Sequence, residues 1–510
     1  MSTVLPSGVI SDVEGAIDGA FTPLSDAVGG AIFYPVRIGS AEVPWIVAWL
    51  IIGAVVFTIG YRFIQIRGFG HAVALARGGY DDPDDPGEVT HFQALTAAVS
   101  GTVGLGNIAG VAVAVSIGGP GATFWMIVAG LLGMATKFVE CTLGVAFREE
   151  HADGTVTGGP FRYLKVAFAK LRVPILPTVL VGVYAVAILA FGLAGGNMFQ
   201  ANQMFAQVEN VTGGEDGPLG SGGASLVFGL VVAVIVGLVI IGGIQSIAKV
   251  TSRLVPAMAI LYVLGCLTVI GFNAADIPGA FGEIVSGAFN PEGVTGGILG
   301  VMIVGFQRAA FSNEAGVGSA AIAHSAVKTK RPVTEGFVAL LEPFIDTVII
   351  CTMTALTIVI ARPDSWLAAR DSYAAGEDPS PDGVVLTSDA FATVIPWFPI
   401  VLAFAVVLFA FSTLITWSYY TLKAWTTLFG RSTVSELVFK VVYCVFIVIG
   451  TVLTFSAVLN FADAMLFVCA LVNIFGLYLL MPEVSRMLRE YQADRRSGVV
   501  RPVKDRDPVG

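Results

Sequence analysis

Two apolar stretches of this sequence are interrupted by polar, glycine-rich segments, which read VSGTVGLGNIAG over 99–110 and AAFSNEAGVGSA over 309–320. Each stretch is long enough to cross a bilayer as a helix. In hydrocarbon an unpaired backbone N–H or C=O costs several kcal/mol, so an unwound segment persists only where it lines a cavity. Close helix packing at small residues is the alternative use for the glycines. The polar residues beside them favour unwinding, and two broken helices predict a binding site.

The two interruptions would present opposite electrostatic poles to a ligand. After the first, a half-helix begins near Leu105, and the N–H groups of Leu105, Gly106 and Asn107 would form a positive pole that suits a carboxylate. Before the second, a half-helix ends near Phe311, and its carbonyl groups would form a negative pole that suits an ammonium group or a metal cation. A small zwitterion fits both poles, provided that the two breaks face each other.

The composition identifies the surroundings of these segments. Of 510 residues, 55% are hydrophobic and 13% are charged, and the mean hydropathy is +0.82. These values exclude a soluble globular protein and predict an all-α integral membrane protein. Counting apolar runs of about 20 residues predicts eleven transmembrane helices. Their approximate limits are 44–65, 91–117, 121–147, 176–205, 223–244, 252–272, 294–325, 335–360, 393–422, 434–458 and 460–482.

Basic residues predict the orientation of these helices, because cytoplasmic loops are enriched in lysine and arginine. Alternate connections carry them, which predicts an external N-terminal segment over 1–43 and a basic cytoplasmic tail over 483–510. The long external loop 361–392 is acidic, so the net charge of −9 reflects external loops and indicates no nucleic-acid partner. A short apolar face of the N-terminal segment is expected to lie on the membrane surface. Its members are Ile10, Val13, Ile17 and Phe21.

The interrupted spans are the second and the seventh of the eleven. Each therefore opens a set of five helices, over 91–272 and over 294–482, and the helix at 44–65 precedes both sets. Two similar units with an odd number of crossings enter the membrane from opposite faces. This arrangement predicts inverted repeats related by an axis in the membrane plane.

Five separate motifs follow one another along the chain. They are TVGLGNIAGVAVAVSIGGPGATFWM from residue 102, GGPFRYL at 158–164, GNMFQAN at 196–202, SNEAGVGSAAIAH at 312–324 and FSTLITWSYY at 411–420. Together they resemble the alanine/glycine:cation symporter family, over about 44–482. The resemblance implies a LeuT-type fold of five plus five helices and sodium-coupled symport of alanine or glycine into the cell by alternating access. It also implies a place in the cell membrane and no cofactor, with Na⁺ as the coupling ion.

The resemblance further implies which residues hold the substrate and the ion. The substrate set comprises Thr102, Gly104, Leu105, Gly106, Asn107, Gln200, Phe311, Ser312, Thr413 and Trp417. In this set the backbone of 102–107 would hold the carboxylate, and Phe311 and Ser312 would contact the amino group. The sodium set comprises the carbonyls of Ser100 and Val103 and the hydroxyls of Ser412 and Thr413.

Charged residues inside the predicted spans are functional candidates, since each costs roughly 2.5 to 3.5 kcal/mol at a helix centre. Lys137 and Glu140 are three residues apart and are expected to form an ion pair. Glu314 is either a coupling carboxylate or a structural partner of Arg308 or of exposed N–H groups. His324 lies near a predicted helix end, where we expect it to cap the helix or to contact solvent.

Three classes of function compete for these features. A secondary transporter with a site at the membrane midplane accounts for both interruptions, whereas a channel would need a continuous polar path. A membrane enzyme would need a nucleophile with its base or a set of metal ligands, and the four histidines form no HExxH pattern. The chain also has no GxxxxGK[ST] phosphate loop. The sequence therefore predicts a secondary transporter rather than an enzyme, with proton coupling as the alternative to sodium coupling.

Overall fold

The protein is almost entirely helical wherever its structure is described. The computed structural model describes residues 23, 27–38, 41–82, 84–151, 155–220, 223–290, 294, 296–375, 383–453 and 455–503. The apolar face predicted for the N-terminal segment lies outside these residues. The strands among the described residues form two short antiparallel hairpins. They are β1 (Pro35–Ile38) with β2 (Ala41–Pro44) and β3 (Glu149–Glu150) with β4 (Val156–Thr157).

The helices α1 to α19 follow one another in chain order. Those of the first part are α1 (Trp45–Gly60), α2 (Ile64–Arg67), α3 (Phe69–Ala76), α4 (His91–Thr102), α5 (Ala109–Ile117), α6 (Gly121–Ala146), α7 (Pro160–Ala169), α8 (Leu176–Val211), α9 (Ala224–Ile240) and α10 (Gly243–Phe272). Those of the second part are α11 (Ile277–Phe289), α12 (Gly297–Asn313), α13 (Ala320–His324), α14 (Pro332–Ala361), α15 (Asp364–Ala374), α16 (Gly383–Ala392), α17 (Phe398–Phe429), α18 (Thr433–Gly450) and α19 (Phe455–Arg496). Short 3₁₀ turns cover Leu105–Asn107, Gly214–Asp216 and Ala274–Asp276.

Within the described residues, seven helices are long and apolar enough to cross a membrane, namely α6, α8, α10, α14, α17, α18 and α19. The helix α4 and the segment that follows it form an eighth candidate, bent by 58°. Helices α1, α9 and α16 are apolar but shorter. The prediction of an all-α, multi-pass membrane protein is therefore confirmed, and each of the eleven predicted spans overlaps at least one helix.

Some helices expose apolar side chains that a water-facing surface would not carry. Leu238 of α9, Phe272 of α10 and Leu437 of α18 are 71%, 70% and 62% exposed. Contiguous apolar surface of this kind indicates contact with lipid. These three helices thus form part of the outer wall of the bundle.

The segment 361–392, which was expected to be an external loop, contains two helices instead. Helix α16 at its end is largely buried and packs against α5. A β-carbon on Gly383 would lie 2.5 Å from the carbonyl oxygen of Ala109, so the two backbones are in close contact there. Helices α15 and α16 therefore pack over α5, the second half of the first interrupted span.

Helix α6 lies at the centre of the bundle and packs against α12, α13 and α14. The closest approach uses a glycine of α14: a β-carbon on Gly336 would lie 2.0 Å from Thr142 Oγ1 and 2.7 Å from the Phe138 carbonyl oxygen. Only a residue without a side chain fits at this crossing.

Gly336→Ala should therefore destabilise the protein, by about 1–3 kcal/mol as is usual for overpacked cores. Gly271→Ala is the matched control, because a β-carbon there has no neighbour within 4 Å and alanine favours the helix. Thermal unfolding of both variants in detergent measures the difference. Equal midpoints for the two variants would contradict the packing described here.

Candidate functional site

The first interruption is a break between α4 and α5. Helix α4 ends at Thr102, and Val103 and Gly104 leave the helical conformation before the Leu105–Asn107 turn. The N–H groups of Leu105, Gly106 and Asn107 were expected to be free here, and this prediction is wrong for Leu105 and Asn107. The N–H of Leu105 donates to Gln200 Oε1 at 3.0 Å, and the N–H of Asn107 donates to the Gly104 carbonyl at 3.2 Å.

The second interruption is a stretch of non-helical backbone between α12 and α13. Helix α12 ends at Asn313, two residues beyond the expected position, and Glu314 adopts the left-handed conformation with φ of 54°. Gly316 and Gly318 follow with φ of 97° and 90°, a region that glycine occupies without strain. The Asn313 side-chain oxygen accepts a hydrogen bond from the N–H of Ala315 at 2.9 Å.

The two breaks lie against each other inside the protein. A β-carbon on Gly106 would be 3.2 Å from the Phe311 ring and 3.8 Å from the α-carbon of Ser312. Both breaks are almost completely buried. The requirement that the two interruptions face each other is therefore met.

A buried carboxylate that the sequence analysis gave no role connects the two breaks. Asp346 of α14 accepts hydrogen bonds from Asn107 Nδ2 at 2.6 Å, from Ser312 Oγ at 2.8 Å and from Thr347 Oγ1 at 2.7 Å. Three donors offset much of the cost of burying a carboxylate. Asn107 belongs to the first break and Ser312 to the second, so Asp346 holds them in one arrangement. An acidic residue inside an apolar span is the sequence signal that could have identified it.

The oxygens of the predicted sodium set lie between α4 and α17. Thr413 Oγ1 donates to the Ser100 carbonyl at 3.0 Å, and Ser100 Oγ donates to the Ser412 carbonyl at 2.7 Å. Ser412 Oγ instead bonds within its own helix, to the Phe409 carbonyl at 2.8 Å. Carbonyl and hydroxyl oxygens are donors that suit Na⁺ at a helix break. The structure thus brings Ser100, Ser412 and Thr413 together between α4 and α17.

Side chains from three helices form the remaining walls of the site. Trp417 of α17 donates its ring N–H to the Gly101 carbonyl at 3.0 Å. Phe311 packs against Phe199 of α8, with ring centres 5.4 Å apart. Gln200 reaches the first break from α8, as described above, whereas the Thr102 hydroxyl bonds back to the Ala98 carbonyl of its own helix at 3.3 Å.

Three expectations about the charged residues are wrong: the Lys137–Glu140 ion pair, the role of Arg308 as a partner of Glu314, and the contact of His324 with solvent or a helix end. Lys137 pairs with Glu342 of α14 at 2.9 Å and not with Glu140, because the side chain across the helix interface is the closer partner. Arg308 pairs with Asp463 of α19, which leaves it no role as the partner of Glu314.

Glu314 itself accepts a hydrogen bond from the Ser319 hydroxyl, within the second break. His324 is fully buried and donates to Glu335 of α14, so it neither caps a helix at the surface nor contacts solvent.

Comparison with known proteins gives one consistent result. A model of the sodium:alanine symporter family matches residues 36–506. The chain is 33% identical over 455 residues to the sodium/alanine symporter AgcS of Methanococcus maripaludis, covering 89% of this chain and 95% of that protein. It is 32% identical over 454 residues to the amino-acid carrier protein AlsT of Bacillus subtilis, covering 87% and 88%. It is 30% identical over 455 residues to the probable sodium/glutamine symporter GlnT of Bacillus subtilis, covering 89% and 87%.

Asp346→Ala should destabilise the protein by at least about 2 kcal/mol, because it removes a charged acceptor from buried donors on both breaks. Asp389→Ala is the control, since Asp389 is partly exposed and accepts one hydrogen bond, from Ser365. Thermal unfolding in detergent compares the two. An equal or smaller loss in the Asp346 variant would show that the carboxylate does not connect the breaks.

Proposed function

Because the chain belongs to the sodium:alanine symporter family, we propose that it carries a small neutral amino acid, alanine or glycine, into the cell together with Na⁺. Membership of this family indicates a membrane transport protein rather than an enzyme, and in this proposal it acts in the cell membrane. Transport proceeds by alternating access to a site near the membrane midplane. The observation that carries the proposal is the meeting of two helix breaks at one buried carboxylate.

The amino acid lies between the two breaks in this proposal. Its carboxylate is held by the backbone of 102–107, at the start of the half-helix that leads into α5, where it replaces the internal acceptors of the Leu105 and Asn107 N–H groups. Its ammonium group faces the carbonyl end of α12, with Ser312 and Asp346 on the same side. Phe311 and Trp417 close the pocket, and the glycines at 104 and 106 leave room for a small side chain only.

The coupling ion binds beside this pocket, between α4 and α17. The carbonyls of Ser100 and Val103 and the hydroxyls of Ser412 and Thr413 supply neutral oxygen ligands, as at other helix breaks that bind Na⁺. Moving one positive charge through 100 mV yields about 2.3 kcal/mol. A tenfold ion gradient adds about 1.4 kcal/mol. One Na⁺ per amino acid is therefore enough for strong accumulation, and the transporter needs no other cofactor.

The proposed topology has eleven crossings and a LeuT-type arrangement of two inverted repeats. The repeats are 91–272 and 294–482, preceded by the extra helix at 44–65. The N-terminal segment 1–43 lies outside the cell and the basic tail 483–510 lies in the cytoplasm, as the distribution of lysine and arginine indicates. The short helices α1 and α9 and the α12–α13 pair count as crossings in this topology.

Proton coupling is the second candidate, and Asp346 is the observation that favours it, because a carboxylate at the breaks offers a site that a proton can occupy. A channel is less compatible with the structure, since the breaks are buried on all sides.

Purified protein in proteoliposomes should take up labelled alanine or glycine when an inward Na⁺ gradient is present. Uptake should stop when the Na⁺ gradient is removed.

Thr413→Val should raise the Na⁺ concentration for half-maximal uptake about tenfold, which corresponds to the loss of about 1.4 kcal/mol from one ligand. Thr427→Val, which alters an exposed hydroxyl at the far end of α17, is the control. Uptake that a pH gradient alone drives equally well would replace sodium coupling by proton coupling.

Gly104→Ala should abolish uptake, because a β-carbon there would lie 2.5 Å from Thr413 Oγ1 and 3.0 Å from Gln200 Oε1. Gly110→Ala is matched to it: the residue is also buried, but a β-carbon there has no neighbour within 4 Å. Labelled-alanine uptake by both variants measures the effect. Normal uptake by the Gly104 variant would remove the first break from the site.

A further inference from the structure

Five buried ionisable side chains form a connected cluster beside the breaks, at the end that the basic loops assign to the cytoplasm. The relay cluster, as we name it, comprises His91, Lys137, His324, Glu335 and Glu342. Each is at most 3% exposed. They come from α4, α6, α13 and α14, and no part of the transport proposal uses them.

Hydrogen bonds connect the cluster in a defined order. His91 Nδ1 faces Oε2 of Glu335, and His324 Nδ1 faces Oε1 of the same carboxylate. Lys137 Nζ donates to Glu342 Oε1 at 2.9 Å. The carboxylate of Glu335 thus bridges the imidazole rings of His91 and His324. A proton on either ring therefore has a carboxylate oxygen within reach as its acceptor.

The outer end of the cluster opens on water. A cavity of about 490 Å³ is lined by His91 together with Asp82, Lys328 and Arg331, all from connections with basic residues. Residues Val499 and Val500, which follow α19, line its other side. His91 is therefore the member of the cluster that can exchange protons with the cytoplasm.

Between His324 and Glu342 the chain of hydrogen bonds has a gap. His324 Nε2 lies 3.8 Å from Glu342 Oε2, which is too long for a hydrogen bond. Neither atom has a hydrogen-bond partner among the described residues, although both are buried. Buried polar atoms are rarely left unpaired, so these two atoms are the natural end points for a proton transfer across the gap.

The inner end of the cluster leads to the site. Glu342 precedes Asp346 by four residues on α14, and the two carboxyl groups are close enough to interact electrostatically. Asp346 bonds to both breaks, as described above. The cluster therefore connects the cytoplasmic cavity to the carboxylate at the centre of the site.

The charges of this region do not balance without additional protons. Its buried carboxyl groups are those of Glu140, Glu314, Glu335, Glu342 and Asp346. The buried bases are Lys137, His91 and His324. Even with both histidines protonated, five acids face three positive charges, and uncompensated buried charge is strongly unfavourable. Some of these carboxyl groups must therefore bind a proton or another cation.

We propose that the relay cluster carries protons between the cytoplasmic cavity and Asp346. A proton taken up by His91 passes to Glu335, then to His324, across the gap to Glu342 and on to Asp346. In each transfer an N–H or O–H bond breaks on the donor while an N–H or O–H bond forms on the acceptor. For each proton that enters at His91, one proton therefore arrives at Asp346. A protonated Asp346 attracts an ammonium group less strongly, which would favour release of the amino acid to the cytoplasm.

Other ionisable groups face the cluster and belong to its proton balance. Glu140 and Cys141 of α6 lie near Lys137, and Glu314 of the second break interacts with the same lysine. Asp81, in the connection before α4, interacts with His91. Lys137 forms an ion pair with Glu342, so protonated Glu342 is a transient step of the relay rather than a resting state.

Time-resolved infrared difference spectroscopy after a pH jump tests this proposal on the full-length protein in detergent. Lowering the pH should produce the band of a protonated carboxyl group, and Asp346→Asn should remove it. His324→Gln should slow its appearance by about 100-fold, the usual effect of losing a proton-transfer group. His151→Gln is the control, because His151 bonds to Thr157 outside the cluster. His91→Gln, at the cavity end, replaces His324→Gln if that variant does not fold.

Two outcomes would overturn the relay: absence of the Asp346 band in the wild-type protein, or its appearance at the wild-type rate in both histidine variants. The measurement needs neither Na⁺ nor substrate, so it is independent of the proposed function. Labelled-alanine uptake by the same preparations tests that function separately. If the wild-type protein shows no uptake, but its infrared band appears and is slowed in the histidine variants as expected, sodium-coupled transport is contradicted and the relay is supported.

Discussion

The structure depends on pairing the backbone groups that two helix breaks expose inside a membrane protein. The hydrocarbon core of a bilayer offers no water to bond them, so the protein itself must supply the partners. At the first break, Gln200 accepts from the N–H of Leu105, and Thr354 donates to the Asn107 carbonyl at 2.8 Å. These partners come from α8 and α14, far away in sequence. The breaks are thus stable only when the surrounding helices are assembled.

This dependence explains which parts of the site were predictable from the sequence. Glycine and polar residues within apolar runs located both breaks, because polar residues beside glycines favour unwinding over close helix packing in hydrocarbon. The bend after Thr102 and the left-handed Glu314 lie inside the predicted segments. Helix α12 ends two residues beyond the predicted position, and the N–H groups of Leu105 and Asn107 at the first break are already bonded. Local composition indicates where a helix stops but not which side chains then bond to its ends.

The ion pairs show the same limit more clearly. Lys137 and Glu140 share one face of α6 by spacing, yet Lys137 bonds to Glu342 on α14. A buried charge takes the partner that lies within hydrogen-bond distance across a helix crossing, and sequence spacing carries no information about crossings. His324 was assigned to the surface for a related reason: it lies near a predicted helix end, whereas α13 packs mainly against α6 and α4 and is buried.

The two side chains that reach the first break from distant helices, Gln200 and Asp346, share a local feature that helps to explain their positions. Wider π-helical segments occur at Ala194–Met198 in α8 and at Phe344–Cys351 in α14. Such segments leave carbonyl groups without their usual partners and are frequent at functional sites. In α8 the Gly195 carbonyl accepts from Gln200 Nε2 at 3.0 Å, which leaves Oε1 directed at Leu105. In α14 the wide segment contains Asp346 itself. One helical irregularity therefore directs each polar side chain to the breaks, and a regular α-helix of the same sequence would point it elsewhere.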